Sequence, residues 1–408
     1  MDSGEHRRPL VRADAEGGAD RTWGRTGPSG FDAAYGPAPE GTVHRLRPFY
    51  RAGTQLLSRS SAGDRERDPG RIPQPDDVPA EKLPFVSEVR PPILVVCGST
   101  GTGKSQLASL VALRLGGEVV GCDALQVYLG LDAATAKPSR DERARVPHWL
   151  LDVADPRRDY SLADYVRDAD AAIAAILARG GVPVVAGGSG MYLRGLLKGI
   201  VPVPPRDEML RARLNAQIAR FGARRVHRLL ATLDPESARR VRPEDAQRIV
   251  RALELALRSA ETWSATLARA GTWAGGEERY RALKFGLDLD RGVLASRLAA
   301  RVDTFFEADL PGEVERLLAE GVPESANAFK GIGYREILRA RRERRDPAET
   351  REAIVIATRQ YAKRQRTWFR KEPGLVWLDA SRGADALVQV VVDAWNEARL
   401  KEGAGSAC

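Results

Sequence analysis

Residues 91–105, PPILVVCGSTGTGKS, leave this chain few folds to choose from. A run of apolar residues leads into a glycine-rich loop that closes on Lys104 and Ser105. Gly98, Gly103, Lys104 and Ser105 fit the spacing G-x-x-x-x-G-K-[ST]. In that loop, glycines let successive backbone N–H groups turn inward around a di- or triphosphate. The candidate phosphate site is Gly98, Ser99, Thr100, Gly101, Thr102, Gly103, Lys104 and Ser105. Lys104 adds a point charge, and the Ser105 hydroxyl is the candidate ligand of Mg²⁺. A helix expected over 106–115 turns its positive N-terminal end to the anion. The plain alternative is a chance glycine turn, and the order strand, loop, helix speaks against it. The loop asks for a phosphorylated ligand without saying which, or whether a phosphoryl group moves.

The 408 residues suffice for two domains and a tail. A net charge of +9 suits a polyanionic partner such as nucleic acid. Cys97, Cys122 and Cys408 form no C-x-x-C pair and no zinc spacing, and read as reduced thiols of an intracellular protein. No apolar run reaches the roughly 20 residues of a membrane span, and the N-terminus lacks a secretory core. A cytoplasmic protein with no membrane partner is expected, acting as a monomer. Residues 1–90, rich in Gly, Pro, Arg, Asp and Ser, read as a disordered extension. Their arginines suit an organelle-targeting peptide, but acids beginning with Asp2 and Glu5 argue against one.

From residue 91 strands and helices alternate. Strands are expected at 93–97, 118–122, 149–153 and 182–186. A helix over 161–179 opens on Ser161, with Asp164 three residues later as its capping partner. Such alternation implies an α/β fold: a parallel sheet of the P-loop NTPase kind, covered by helices. Ligands bind such sheets at the carboxyl ends of the strands. Gly98, Asp123 and the 187–190 glycine cluster all follow strand ends and should meet in one cleft. Prolines near 202–205 mark a break, after which residues 206–269 read as arginine-rich helices only. A strand returns at 282–288, followed by helices over 291–309, 312–320, 334–341 and 348–371. The expected organisation is a core of 91–205 and 278–398, an all-helical insertion of 206–277, and a flexible tail of 399–408.

Three groups of residues stand out as chemistry. Asp123, at a strand end facing the phosphate loop, is placed to act as a general base; a turn-capping Asp is the equal alternative. Gln126, Tyr128, Thr135 and Lys137 follow in the same segment. The second group is GGSGMY at 187–192, where glycines admit a ligand and Ser189 offers a hydroxyl; a plain glycine turn is the alternative. The third is 351–371, with seven basic residues against one acidic and Tyr361, Trp368 and Phe369 among them. Arginines on phosphates and aromatics on exposed bases make a surface for RNA loops, against the alternative of a solvated helix face. Arg291 and Arg297 open the helix after the returning strand, and either reaches the cleft or is surface charge.

Taken together, these segments resemble the tRNA dimethylallyltransferase family, also called tRNA isopentenyltransferases. The matching pieces are GSTGTGKS at 98–105, D-x-x-Q-V-Y-x-G-L-D at 123–132, TAKP at 135–138 and VPHWLLD at 146–152. Further matches are GGSGMYL at 187–193, DAQRIVRALE at 245–254, GIGYREI at 331–337 and TRQYAKRQRTWFR at 358–370. The resemblance implies that a dimethylallyl group moves from its diphosphate to N6 of the adenosine beside the tRNA anticodon, position 37. It implies Mg²⁺ as cofactor, with a prenyl diphosphate rather than ATP in the phosphate loop. The implied catalytic residues are Asp123 as base, Ser189 at the hydroxyl position that fixes the adenine, Lys104, and Arg297 on the diphosphate. The implied tRNA contacts begin with Asp123, Ala124, Leu125, Gln126, Ser189 and Arg211. They continue with Gln247, Arg248, Ile249, Val250 and Arg251, then Lys330, Gly331, Ile332, Gly333, Tyr334 and Arg335. The last implied set is Lys363, Arg364, Gln365, Arg366, Thr367, Trp368, Phe369 and Arg370. The adenine must leave its stack to enter the cleft.

The chain departs from the family pattern in Ala124, where the family usually has Ser, and in the 90-residue extension. It carries no C-terminal C2H2 zinc-finger pattern, which favours a bacterial-type or organellar enzyme. An adenylate isopentenyltransferase acting on free AMP would share the loop, Asp123 and Ser189 but not need the basic helix. A P-loop kinase would use Lys104 and Asp123 on ATP. A non-catalytic RNA-binding NTPase would make Asp123 dispensable.

Overall fold

The computed structural model describes residues 90–201, 203–204, 206–259, 262–270 and 277–405. The expected disordered extension lies, except for Arg90, outside the described residues. The chain begins β1 (Pro92–Gly98), α1 (Lys104–Leu115), β2 (Glu118–Cys122), α2 (Arg140–Arg145), β3 (His148–Trp149), α3 (Leu162–Ala178), β4 (Pro183–Gly187) and α4 (Gly190–Lys198). Five helices follow: α5 (Glu208–Phe221), α6 (Ala223–Leu233), α7 (Pro235–Arg240), α8 (Ala246–Arg258) and α9 (Trp263–Ala270). The last part is β5 (Arg281–Asp288), α10 (Arg291–Glu307), α11 (Leu310–Ala319), α12 (Tyr334–Glu343), α13 (Pro347–Phe369), β6 (Leu375–Asp379) and α14 (Ala384–Gly405).

The strands form one parallel sheet in the order β3-β2-β4-β1-β5-β6. β1 is apolar throughout because both its faces are covered. Leu94 and Val96 pack with Leu107 and Val111 of α1 and Val391 and Trp395 of α14. Ile93 and Val95, on the opposite face, pack with Tyr165 and Ile173 of α3 and Leu196 of α4. Each fully buried aliphatic side chain contributes about 1.5–3 kcal/mol. Ser161 and Asp164 form the reciprocal cap that starts α3. A third core joins α10–α13 to the 127–154 segment through Val127, Leu131, Val302, Phe305 and Ile354. Helices α5–α8 have their own small core of Leu214, Val226, Leu230, Ile249 and Leu253.

Two expectations about the chain path need correction, and one strand was not expected. The strand expected over 149–153 is only His148–Trp149, because Leu150 and Asp152 adopt φ of 63° and 55°, which breaks the pleat. β6 is an additional strand that closes the sheet beside β5. The tail expected from residue 399 is helical to 405, as α14 continues through Arg399 and Leu400, both good helix formers. Among the described residues no helix is long and apolar enough to cross a membrane.

Candidate active site

The site is assembled at the carboxyl ends of β1, β2 and β4. Cys97 pairs with Gly187, and Gly187 with Cys122, so the loops after all three strands leave at one level. Gly101 and Gly103 have φ of 83° and 87°, a backbone shape that opens the loop and that other residues resist. Gly103 caps α1 without a side-chain bond, leaving the first N–H groups of α1 for an anion. Thr102 Oγ1 donates to the Ser99 carbonyl at 2.8 Å, and Ser99 Oγ donates to the Ala362 carbonyl at 3.0 Å. Those two hydroxyls shape the loop and tie it to α13, so their contribution to anion binding is through the backbone. Ser105 is exposed in the first turn of α1.

Asp123 follows β2, and its Oδ1 accepts the Leu125 N–H at 2.9 Å. Ser189 donates its N–H to the Cys122 carbonyl at 3.2 Å, and its Oγ accepts the Ala124 N–H at 3.1 Å. The Asp123 and Ser189 loops are thereby locked side by side, with the Tyr361 hydroxyl against Ser189. Burial pushes the Lys104 ammonium down to about 8; the Asp123 carboxylate opposes that shift and Arg301 reinforces it. Burial also lowers Arg301, and Asp123 again opposes. Lys104, Arg301 and the Asp123 carboxylate therefore lie together in one cavity of about 440 Å³. Thr100, Lys104, Asp123, Arg301 and Tyr361 line its polar part, while Leu125, Leu162, Met191, Tyr192 and Phe305 supply apolar surface.

Arg297, the expected diphosphate arginine, is exposed and does not line this cavity. Arg301, one turn further along α10, lines it. Ala124, Leu125, Lys330, Gly331, Ile332, Arg335, Arg364 and Gln365, all expected tRNA contacts, line the same cavity. Gly331 packs on Leu125, where an added Cβ would sit 2.6 Å from Leu125 Cδ1. Gln126 is engaged within its own loop, donating to the Thr135 and Ala136 carbonyls at 3.0 and 2.9 Å. Lys137 has a similar role, bonding the Tyr128 carbonyl, Asp132 and Asp152.

Four residues expected to touch RNA are core instead. Ile249 and Val250 sit in the insertion core, Tyr334 is buried with its hydroxyl on Glu313, and Phe369 packs against the sheet. Gln365 is buried and reaches inward to the loops rather than outward. Trp368 is half-buried under the Arg194 guanidinium, 4.6 Å from its ring centre. Arg366 pairs with Asp288 at 2.6 Å. Lys363, Arg364, Thr367 and Arg370 remain exposed along one side of α13, as do Gln247, Arg248, Lys330 and Arg335 elsewhere. Gly333 turns the chain into α12 with φ of 95°. Arg211 and Arg251 share the buried carboxylate of Glu254. Among the described residues no cluster of three or more His, Cys, Asp or Glu could hold a metal ion.

The family model described as IPP transferase matches residues 126–372. A tRNA dimethylallyltransferase of Anaeromyxobacter sp. (strain Fw109-5) is 44% identical over 302 residues, covering 73% of this chain and 98% of that protein. One from Geobacter metallireducens is 41% identical over 300 residues, covering 74% and 96%. The full-length tRNA isopentenylpyrophosphate transferase of Bacillus halodurans superimposes with a TM-score of 0.55 at 29% identity, over 76% of this chain and 99% of that one. A eukaryotic dimethylallyltransferase acting on tRNA gives a TM-score of 0.61 at 26% identity, over 71% and 74%.

Proposed function

The chain belongs to the tRNA dimethylallyltransferase family and transfers a dimethylallyl group to tRNA, and we propose that the acceptor is N6 of adenosine 37 and the general base Asp123. N6 attacks the allylic C1 of dimethylallyl diphosphate, the C1–O bond breaks, its electron pair leaves with diphosphate, and Asp123 takes the N6 proton. The amides at the start of α1, with Lys104 and Arg301, stabilise the charge that develops on diphosphate. Ser105 would hold Mg²⁺ together with diphosphate oxygens. The donor set fits, since Mg²⁺ commonly uses one or two protein ligands plus phosphates, and the ion would neutralise leaving-group charge. Ser189, braced by the Ala124 N–H, orients the base beside Asp123.

The observation that carries this reading is the convergence of Lys104 and Arg301 on Asp123 inside one cavity, whose lining continues through Lys330, Arg335 and Arg364. Labelled dimethylallyl diphosphate with Mg²⁺ and unmodified tRNA should place label on adenosine 37. Asp123→Asn should abolish transfer while tRNA still binds. Label appearing in AMP alone, or loss of tRNA affinity in Asp123→Asn, would overturn it.

A further inference from the structure

A second cavity, of about 460 Å³, lies between α12 and α13. Arg335 lines both it and the catalytic cavity, so the two adjoin at that side chain. Arg339 and Arg345 supply positive charge to this groove, Glu336 lines it and holds the Arg335 guanidinium, and Ile356, Ala357 and Gln360 line its α13 side. Arg335 and Arg339 are one helical turn apart, about 6 Å along the axis, close to the separation of successive phosphates in a nucleic-acid strand. Glu343 bonds Nε of Arg339 at 2.8 Å and Nε of Arg345 at 2.5 Å. That grip orients both arginines and leaves their terminal nitrogens for an anion. Ile356 is 46% exposed, apolar surface inside a basic rim.

We propose that this groove holds the tRNA nucleotide adjacent to the adenosine that enters the catalytic cavity. Its phosphates lie on Arg335, Arg339 and Arg345, and its base lies against Ile356 and Ala357, with Gln360 on a polar edge. The proposal rests on the tRNA reading of the catalytic site. A flipped adenosine pulls its neighbours to the cavity mouth, and this groove is the continuation that combines phosphate-binding charge with apolar surface for a base.

The test is the direct affinity of the full chain for unmodified tRNA, measured by fluorescence anisotropy across salt concentrations. It needs no turnover, so it stays informative if the transfer assay fails. The double variant Arg339→Ala/Arg345→Ala should bind tRNA about tenfold more weakly. Its salt slope should fall by about 1.4, the loss expected for two single-strand phosphates. Dimethylallyl diphosphate KM and kcat at saturating tRNA should stay at wild-type values. Ile356→Glu should weaken tRNA binding with an unchanged Tm. The control Arg341→Ala/Arg342→Ala removes two charges from the same helix outside the groove, where these arginines pair with Glu315 and Glu324. It should keep wild-type affinity. Wild-type affinity and salt slope in the groove variant, or an equal loss in the control, overturns the groove as the nucleotide site.

Discussion

Gln365 Oε1 accepts the backbone N–H of Thr100 at 2.8 Å. From the same amide, Nε2 donates to the Gly188 carbonyl at 2.9 Å. One side chain from α13 therefore joins the phosphate loop to the loop that carries Ser189. Gly188 admits it closely, since a Cβ there would lie 2.2 Å from Gln365 Nε2. Gln365→Ala leaves the buried Gly188 carbonyl unpaired, at about 1–3 kcal/mol, and takes the partner from the half-buried Thr100 amide. It also frees two catalytic loops to drift, and misplacement of about 1 Å costs on the order of 100-fold in rate. We expect kcat to fall by 10- to 100-fold on this basis, with little change in tRNA affinity. Lost tRNA affinity at normal kcat would make Gln365 an RNA contact after all.

Arg301 and Arg297 occupy the same stripe of α10, one turn apart, yet only Arg301 lines the cavity with Asp123 and Lys104. Arg301→Ala should lower kcat by about 100- to 1,000-fold, the scale of losing one donor to a developing anion. Arg297→Ala should stay within about twofold, as exposed substitutions change free energies by about 0.5 kcal/mol or less. Steady-state kinetics of the pair decide it, and the reverse ranking would return the diphosphate contact to Arg297.

Lys104 gives opposite pH signatures for binding and for stability. Burial lowers its folded pKa to about 8 from 10.5. Above pH 8 the free enzyme loses the charge that meets the diphosphate, so dimethylallyl diphosphate KM should rise from there. The unfolded chain binds the proton more tightly, so burying the charged amine costs stability below pH 8. That cost is relieved as pH rises from 8 to 10.5. Lys104→Met should flatten both profiles, and wild-type profiles in that variant would remove Lys104 from either role.

That the glycine loop, Asp123 and Ser189 follow strand ends was legible because glycines and apolar strands are local signals, and their meeting at one edge of the sheet follows from parallel topology. Sequence spacing does not separate Arg297 from Arg301, because the two share a helix face; only the axial position of α10 against the sheet brings Arg301 alone into the cavity lining. β6 was missed although Leu375–Leu378 is an apolar run, because a run of four is too short for periodicity to tell a strand from a stretch of buried helix or loop. In α13 the basic run was plain, but Gln365 and Phe369 turn inward four residues apart while their neighbours turn out. Periodicity assigns that face only when one knows that α13 lies on the phosphate loop.

Phe369 and Arg364 separate the two faces of α13 by experiment. Phe369 is 1% exposed and packs among Tyr165, Tyr192 and Leu197. Phe369→Ala removes a buried ring, at about 3–5 kcal/mol, and should lower Tm. Arg364 is exposed, lines the cavity and lies 5.7 Å from the Tyr361 ring centre. Arg364→Ala should keep Tm while tRNA affinity drops and the salt slope falls by about 0.7, one phosphate contact. Thermal melts and salt-dependent tRNA binding on both variants make the comparison. A Phe369→Ala protein with normal Tm and weakened tRNA binding would place that ring on the RNA. An Arg364→Ala protein with an unchanged salt slope would take the exposed side of α13 out of the RNA surface.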